Sequence, residues 1–500
     1  MFCVTQLINE DFFVCHEPRR GGLKIRKNAK FRINCICSIC KKTTMKMKRE
    51  KFLLSLLSLL PLPLLAKINT KSFIKNNPLD ILLEYPLMQA IFGRRSRRFG
   101  RGMEIPSGPL AYKSKLEPLP LSELEQSILI AAGTGVTGWN FGVPFGPNRP
   151  KEHASYTLRF TGRTAPSAGG FGTAAMLFTN DTGTYITNTR DVQPTAMHEA
   201  GENLSDVERI IAVCKKNTVK LSDTRLDLPA ATPHMLEPNL WMANAPGSTL
   251  FMPIADASEQ MLSFLAMSMS NGNVIMDDEL KKPAGNLQPF ISSGLLNDKK
   301  RVALSVLHQM VYESNCTEVA FMAHNMVLTL QALGLGGLYF SGLNRWSVLG
   351  AFKDKGIKGM GFRFVHDERW TLPNPVGLDG VYEGLCPPYY PNMKAAVEEF
   401  VKRKFGPKGA YDKDTPGAWR ETKAIKGGVT PYTKEFVDCL TEVAQYIYDK
   451  HGKFPGTFST IVLPGYVQAI HLDNEFYDKF YKPGAYLKSH ADNMNVWHNH

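Results

Sequence analysis

Residues 317–333 constrain the fold of this chain more than any other stretch. Val319, Met322, Ala323, Met326, Val327, Leu330 and Leu333 recur at three- and four-residue spacing, the pattern of a helix buried along one face. Its methionines read as core, not as metal ligands. The helix closes on Gln331-Ala-Leu-Gly-Leu-Gly-Gly-Leu-Tyr-Phe-Ser-Gly342, which leads into a strand. A second helical stretch, Lys300 to Glu313, is expected just before it.

Other local signals are clear. Ser122 with Glu125 three residues on is a capping box, and it opens a helix through Ala132. Gly133-Thr-Gly135-Val-Thr-Gly138 follows and spells GxGxxG, but it ends a helix where a dinucleotide fingerprint should open one. Gly133 is expected as a left-handed cap, and the nicotinamide reading is rejected. Tyr156 to Phe160 reads as extended. Residues 174–179 and 183–187 read as a hairpin across Asn180-Asp-Thr-Gly183. Between 190 and 300, helical pieces (205–214 and 258–268) alternate with Pro- and Gly-rich connections. There Trp241, Met242 and Phe251 are pocket candidates for which core packing is favoured. Thr433 to Lys450 is an amphipathic helix with Phe436, Leu440, Val443, Ile447 and Tyr448 on one side.

The net charge of +13 is unevenly spread. Residues 1–51 carry thirteen Lys/Arg against four Asp/Glu, a balance of +9, which leaves +4 for the other 449 residues. A nucleic-acid binder carries its charge on the folded body, so that class is excluded. Five of the nine cysteines lie in the first forty residues. Cys35, Cys37 and Cys40 lack a second ligand pair at zinc-site spacing. Residues 45–66 pair a basic start with Phe52-Leu-Leu-Ser-Leu-Leu-Ser-Leu-Leu-Pro-Leu-Pro-Leu-Leu, the proportions of an export signal and too short for a stable membrane span. Residues 1–44 are then a non-native or disordered basic leader. The protein is expected to be exported (periplasmic) if 45–66 is a signal, and cytoplasmic otherwise.

Three ordered motifs carry the functional reading. The first is Phe92-Gly-Arg-Arg-Ser-Arg-Arg-Phe99, with four arginines and a serine in five positions, a donor set that matches phosphate. The second is Arg163-Thr-Ala-Pro-Ser-Ala-Gly-Gly170, where small residues let the backbone approach a flat ring. The third is the Gly-rich end of the long helix with Ser341-Gly342. In this order they resemble the FMN-binding segments of the nitroreductase superfamily, and most closely the branch containing azoline-oxidase-type flavin dehydrogenases. Thr371 to Gly377 resembles that family's later core strand.

The resemblance spans roughly residues 80–400. It implies an α+β sandwich, a mainly antiparallel sheet flanked by helices, within a domain at 67–405 that carries an insertion or lid at 190–300. Residues 406–500 form an extension outside the family. It further implies a homodimer with FMN at the interface. Carried onto this chain, Arg94, Arg95 and Ser96 would hold the phosphate and ribityl chain, and Arg98 would lie near N1 and O2 of the ring. Pro166, Ser167, Ala168 and Gly169 would face the ring, with Ser341 and Gly342, some of them from the other protomer.

The implied activity is hydride transfer through flavin N5, to or from a small organic substrate, with an unnamed reductant or oxidant. No protein acid or base is identified. The alternative is a non-catalytic flavin-binding or metal-binding exported protein on the same fold. In the tail, His471, Asp473 and Glu475 with His490 and His498 offer metal-type donors, but their alternate spacing favours a polar tail closing over the core, so no metal ligand is assigned.

Overall fold

The computed structural model describes residues 77–144 and 159–498. The expected leader, the export signal, the early cysteines and residues 156–158 of the expected extended segment lie outside these. Helix α1 (Leu87–Gly93) delivers the chain to the arginine run. Helix α2 (Glu123–Thr134) starts on the capping box, with both reciprocal bonds of Ser122 and Glu125 formed. Gly133 is not the left-handed cap. The helix continues through Thr134, and its cap, Gly135, has φ −62°. Gly133 is small for packing reasons, since a Cβ there would meet Met176 at 2.9 Å and Met326 at 3.0 Å.

The hairpin forms as read, from β1 (Ala174–Asn180) and β2 (Gly183–Thr187). Helix α3 (Asp206–Lys216) begins on a second capping box, Ser205 with Glu208, and leads to β3 (Thr218–Ser222). Strand β4 (Thr249–Asp256) is buried along its whole length and feeds α4 (Ala257–Ser270) through the side-chain cap of Asp256.

The two helices expected between 300 and 333 are one, α5 (Leu304–Leu333). No Gly or Pro interrupts it, and Asn315, where a break was expected, turns its amide back onto the Val311 carbonyl at 2.8 Å. Gly334 ends it in the left-handed conformation (φ 74°), and β5 (Gly336–Phe340) follows. Then come α6 (Met393–Phe405), α7 (Lys434–His451), β6 (Ile461–Val462), β7 (Tyr466–Ile470) and α8 (Lys488–Trp497).

The main sheet has the order β5-β7-β4-β1-β2-β3, with β6 beside β4, and every pair is antiparallel. Side chains alternate across it with period two. Ala175 and Leu177 of β1, with Leu250, Met252 and Ile254 of β4, fill one face. Ala174, Met176 and Phe178, with Phe251 and Ala255, fill the other, against α2 and the predicted stripe of α5. Each fully buried Leu, Ile or Met contributes about 1.5–3 kcal/mol, which makes this alternation the main determinant of register.

Both segments set apart by the sequence reading enter this sheet. Residues 190–300 supply β3 and β4, and 406–500 supply β6 and β7. Thr371 to Gly377 does not. Its strand, Asn374–Leu378, sits in a separate three-stranded sheet with Arg363–Val365 and Tyr382–Glu383. The strand next to β5 in the main sheet is β7. The four body cysteines are free. Among the described residues, no helix is long and apolar enough to cross a membrane.

Candidate functional site

The arginine run leaves α1 in extended conformation and lies along the free edge of β5. Gly337 N–H donates to the Arg97 carbonyl at 2.7 Å, and Gly100 pairs with Leu472 just beyond β7. Extended backbone sends successive side chains to opposite sides. Arg97 and Phe99 therefore go inward, while Ser96 and Arg98 stay exposed.

Arg97 is committed to the protein. Its Nε donates to the Ala485 carbonyl at 2.8 Å and its Nη1 to Gln331 Oε1 at 2.8 Å. Burial lowers its pKa, partly offset by Tyr477. It joins the end of α1, the end of α5 and the C-terminal segment, a role the sequence reading did not single out.

The outward groups line a cavity of about 420 Å³ that contains Arg95, Ser96 and Arg98 on one side and Trp241, Tyr477 and Tyr481 on the other. Phe99 forms part of its floor, stacked on Phe476 with ring centroids 4.1 Å apart. Arg95 curls back so that Nη1 donates to the carbonyls of Phe92 (3.0 Å) and Arg94 (2.8 Å). Arg94 is exposed but is not among the lining residues. Trp241, a pocket candidate from the sequence, is on the wall, while Met242 and Phe251 are fully buried core.

The third motif adjoins the arginine run through the Gly337–Arg97 pairing, but Ser341 and Gly342 are not among the residues lining the cavity. Ser341 is exposed and Gly342 buried just past the strand whose Gly337 pairs with Arg97. Gly342 is required by close approach, because a Cβ would lie 1.7 Å from Asn239 Nδ2, in the loop that carries Trp241. The Gly342 carbonyl accepts from Leu236 N–H at 3.0 Å.

The second motif is elsewhere. Pro166 to Gly169 enters a tight turn in which Gly169 has φ 68°. The Ser167 hydroxyl donates to Glu318 Oε2 at 2.8 Å and accepts from Gly172 N–H at 3.1 Å. Burial raises the Glu318 pKa, opposed by the bonds from Ser167 and Ala174 N–H. Glu318 and Gln331 lie on the same helix thirteen residues apart, so Ser167 and Arg97 touch α5 at points roughly 20 Å apart. One protomer brings the first and third motifs together, but not the second.

Beside the Pro166–Gly169 turn is a larger cavity of about 560 Å³, walled by Trp139, Phe160, Phe171 and Phe400 and lined by Arg159, Arg403, Lys404 and Glu259. Arg159 N–H holds the Gly170 carbonyl at 3.0 Å, and its guanidinium is ion-paired with Glu259. Lys404 is buried, its Nζ 2.8 Å from Tyr432 Oη, and burial pushes its pKa down to about 7. The sequence reading missed it. Its signal was a lysine on the apolar face of α6, in register with Met393, Ala396, Val397 and Phe400.

The donors His471, Asp473 and Glu475 of the tail do not converge on one another. Asp473 Oδ2 accepts from the Ser114 hydroxyl at 2.7 Å, and Glu475 pairs with Lys115 at 3.1 Å. His471 turns the other way, toward α2.

No family model matches this chain, and no curated protein is similar to it. Among solved structures it is similar to a protein provisionally called a nitroreductase, from Ralstonia eutropha JMP134. That match is 15% identical, covers 52% of this chain and 71% of the other, and has a TM-score of 0.24. A superposition this loose carries no argument about fold or activity.

Proposed function

We propose that this protein is an FMN-dependent oxidoreductase of nitroreductase type. One observation carries the reading. The Arg97–Gly337 pairing docks the arginine run on the strand that leads to Ser341 and Gly342. The exposed Arg95, Ser96 and Arg98 then stand over an aromatic-walled cavity of about 420 Å³, within the size range of small-ligand sites. These residues fit the cofactor. Guanidinium and hydroxyl donors suit a phosphate and polyol, and Trp241, Tyr477 and Tyr481 suit a flat ring.

Bound FMN would supply hydride exchange at N5. Arg95 and Ser96 would hold the phosphate end from the cavity wall, and Arg94, exposed beside them, would add a guanidinium from outside the lining. Arg98 would supply positive charge against the negative charge that the flavin gains on reduction, which would favour the reduced state. Since Pro166–Gly169 lies roughly 20 Å from the arginines in one protomer, the proposal includes a homodimer in which a second copy brings this turn to the site. It also includes export directed by residues 45–66, a substrate that is a small organic electrophile, and a separate electron donor.

Arg98→Ala tests the reading. The variant should fold and retain some FMN, with a lowered reduction potential and slowed turnover of a quinone or nitro compound. Unchanged FMN affinity and potential would remove Arg98 from the site and, with it, the catalytic reading.

A further inference from the structure

We propose that Glu125, His471 and His498 form a binding site for a zinc-type divalent cation, which clasps the C-terminal helix to the helix that begins at the capping box.

The three residues come from distant parts of the chain. Glu125 is in the first turn of α2, His471 directly follows β7, and His498 directly follows α8. Their donor atoms converge. His471 Nε2 is 3.0 Å from His498 Nε2 and 3.3 Å from Glu125 Oε1, and His498 Nε2 is 3.3 Å from Glu125 Oε2. Each imidazole thus approaches a different oxygen of the carboxylate, and one donor atom from each residue falls within 4.8 Å of the others. Ligands on a tetrahedral ion with bonds of about 2.0–2.1 Å are separated by about 3.3 Å, so a small rotation of the carboxylate brings one oxygen and the two nitrogens to that spacing.

The proton inventory points the same way. His471 Nδ1 is 2.9 Å from the Leu119 carbonyl, which can only accept, so that nitrogen carries the hydrogen. In the neutral ring Nε2 is then a lone pair. It faces the other imidazole and a carboxylate, and with the hydrogen of His498 on Nδ1 the three residues present three lone pairs to one point. A cation bound there satisfies all three.

The supporting bonds are those of a built metal site. The Leu119 carbonyl fixes the His471 tautomer and orientation. Glu125 Oε2 accepts from Ser122 N–H at 2.8 Å and from its hydroxyl at 2.9 Å, while Oε1 accepts from Asn493 Nδ2 at 3.1 Å. A carboxylate has about four acceptor directions, so one remains for the ion on the His side. Two imidazoles and a carboxylate without thiolate select zinc over calcium, magnesium or copper(I). Three protein ligands leave a fourth position for water, and His498, whose side chain is 16% exposed, gives solvent access. The sequence reading weighed His471 with Asp473, Glu475 and the later histidines, assigned no metal ligand, and did not connect Glu125 with them. The inference is independent of the flavin reading.

The test uses the untagged full chain, stripped with a chelator and titrated with Zn²⁺ and, separately, Co²⁺. One Zn²⁺ should bind per chain, with the visible bands of four-coordinate Co²⁺ and a rise in melting temperature. His498→Ala lies past the last helix, so the body should still fold, and it should weaken Zn²⁺ binding at least tenfold and abolish the thermal shift. Glu125→Gln, which can keep the cap, should do the same. Absence of stoichiometric Zn²⁺ and of Co²⁺ bands would overturn the proposal. So would undiminished binding in both variants.

Discussion

Lys404 gives the sharpest quantitative test of how the helical layer is built. It sits on the apolar face of α6, is 7% exposed, and reaches only the Tyr432 hydroxyl by a hydrogen bond among the described residues. Burial lowers its pKa from 10.5 to about 7. The folded state therefore binds this proton less tightly than the unfolded chain. Below pH 7 both states are protonated and the full penalty of a buried charge applies. Between pH 7 and 10.5 only the unfolded chain holds the proton, so this residue's contribution to stability improves as pH rises. Lowering the pKa from 10.5 to about 7 corresponds to about 5 kcal/mol at pH 6, and about 2 kcal/mol of it remains at pH 9. The rings of Phe400, Phe405, Tyr411 and Tyr432 stand 5.0–5.9 Å from Nζ and attract the charged form, offsetting about 0.5–2 kcal/mol of the penalty at pH 6. Lys404→Met removes the titration while keeping the volume. Denaturant midpoints of variant and parent at pH 6 and pH 9 should show a stabilisation larger at pH 6 by about 1–3 kcal/mol. Taking the difference between the proteins cancels every other titrating group. Equal effects at the two pH values, or destabilisation at pH 6, would show that Lys404 is not a charge buried at a cost.

Two further predictions concern the framework. Gly337 has φ 153°, and a Cβ there would lie 2.2 Å from the Gln468 carbonyl oxygen across the β5–β7 pair, so Gly337→Ala should destabilise the fold by at least about 3 kcal/mol. Thermal melts check it, and an unchanged melting temperature would refute the central place of β7. For Asp277, burial raises the carboxyl pKa, but hydrogen bonds from Lys450 Nζ (2.7 Å) and Tyr446 Oη (2.6 Å) outweigh it and hold the value at about 2. Its stabilisation is complete above about pH 4 and is lost as pH falls through 2, so Asp277→Asn should flatten the acid limb of the stability profile by about 2 kcal/mol.

What could be read in the sequence was local. The stripe of α5, the capping box of α2 and the β1–β2 hairpin depend on residues within a few turns of each other, and all three formed. Non-local pairing was not legible. Nothing in Tyr466–Ile470 announces that it lies between β5 and β4, since a short, mostly apolar run suits any interior position of a sheet. The arginine run was identified by composition, but its edge pairing with Gly337, and the inward turn of Arg97 between outward Ser96 and Arg98, depend on the tertiary fold. Glu125 was legible as a cap and illegible as a partner of His471 and His498, which approach it only because β7 and α8 return to the start of α2. Lys404 was hidden by its neighbours, since Lys402 and Arg403 make the same stretch look like an ordinary basic helix end.

The central claim is that the arginine-lined cavity holds FMN. The direct measurement is the visible absorption spectrum of protein expressed from Met45 or from Lys67, mixed with FMN and then freed of unbound cofactor by gel filtration. Retained flavin bands near one equivalent per chain, lost in the Arg94→Ala/Ser96→Ala double variant, are the predicted result. A well-folded, colourless protein after the same treatment would contradict the account and return the arginine run to the role of a basic surface.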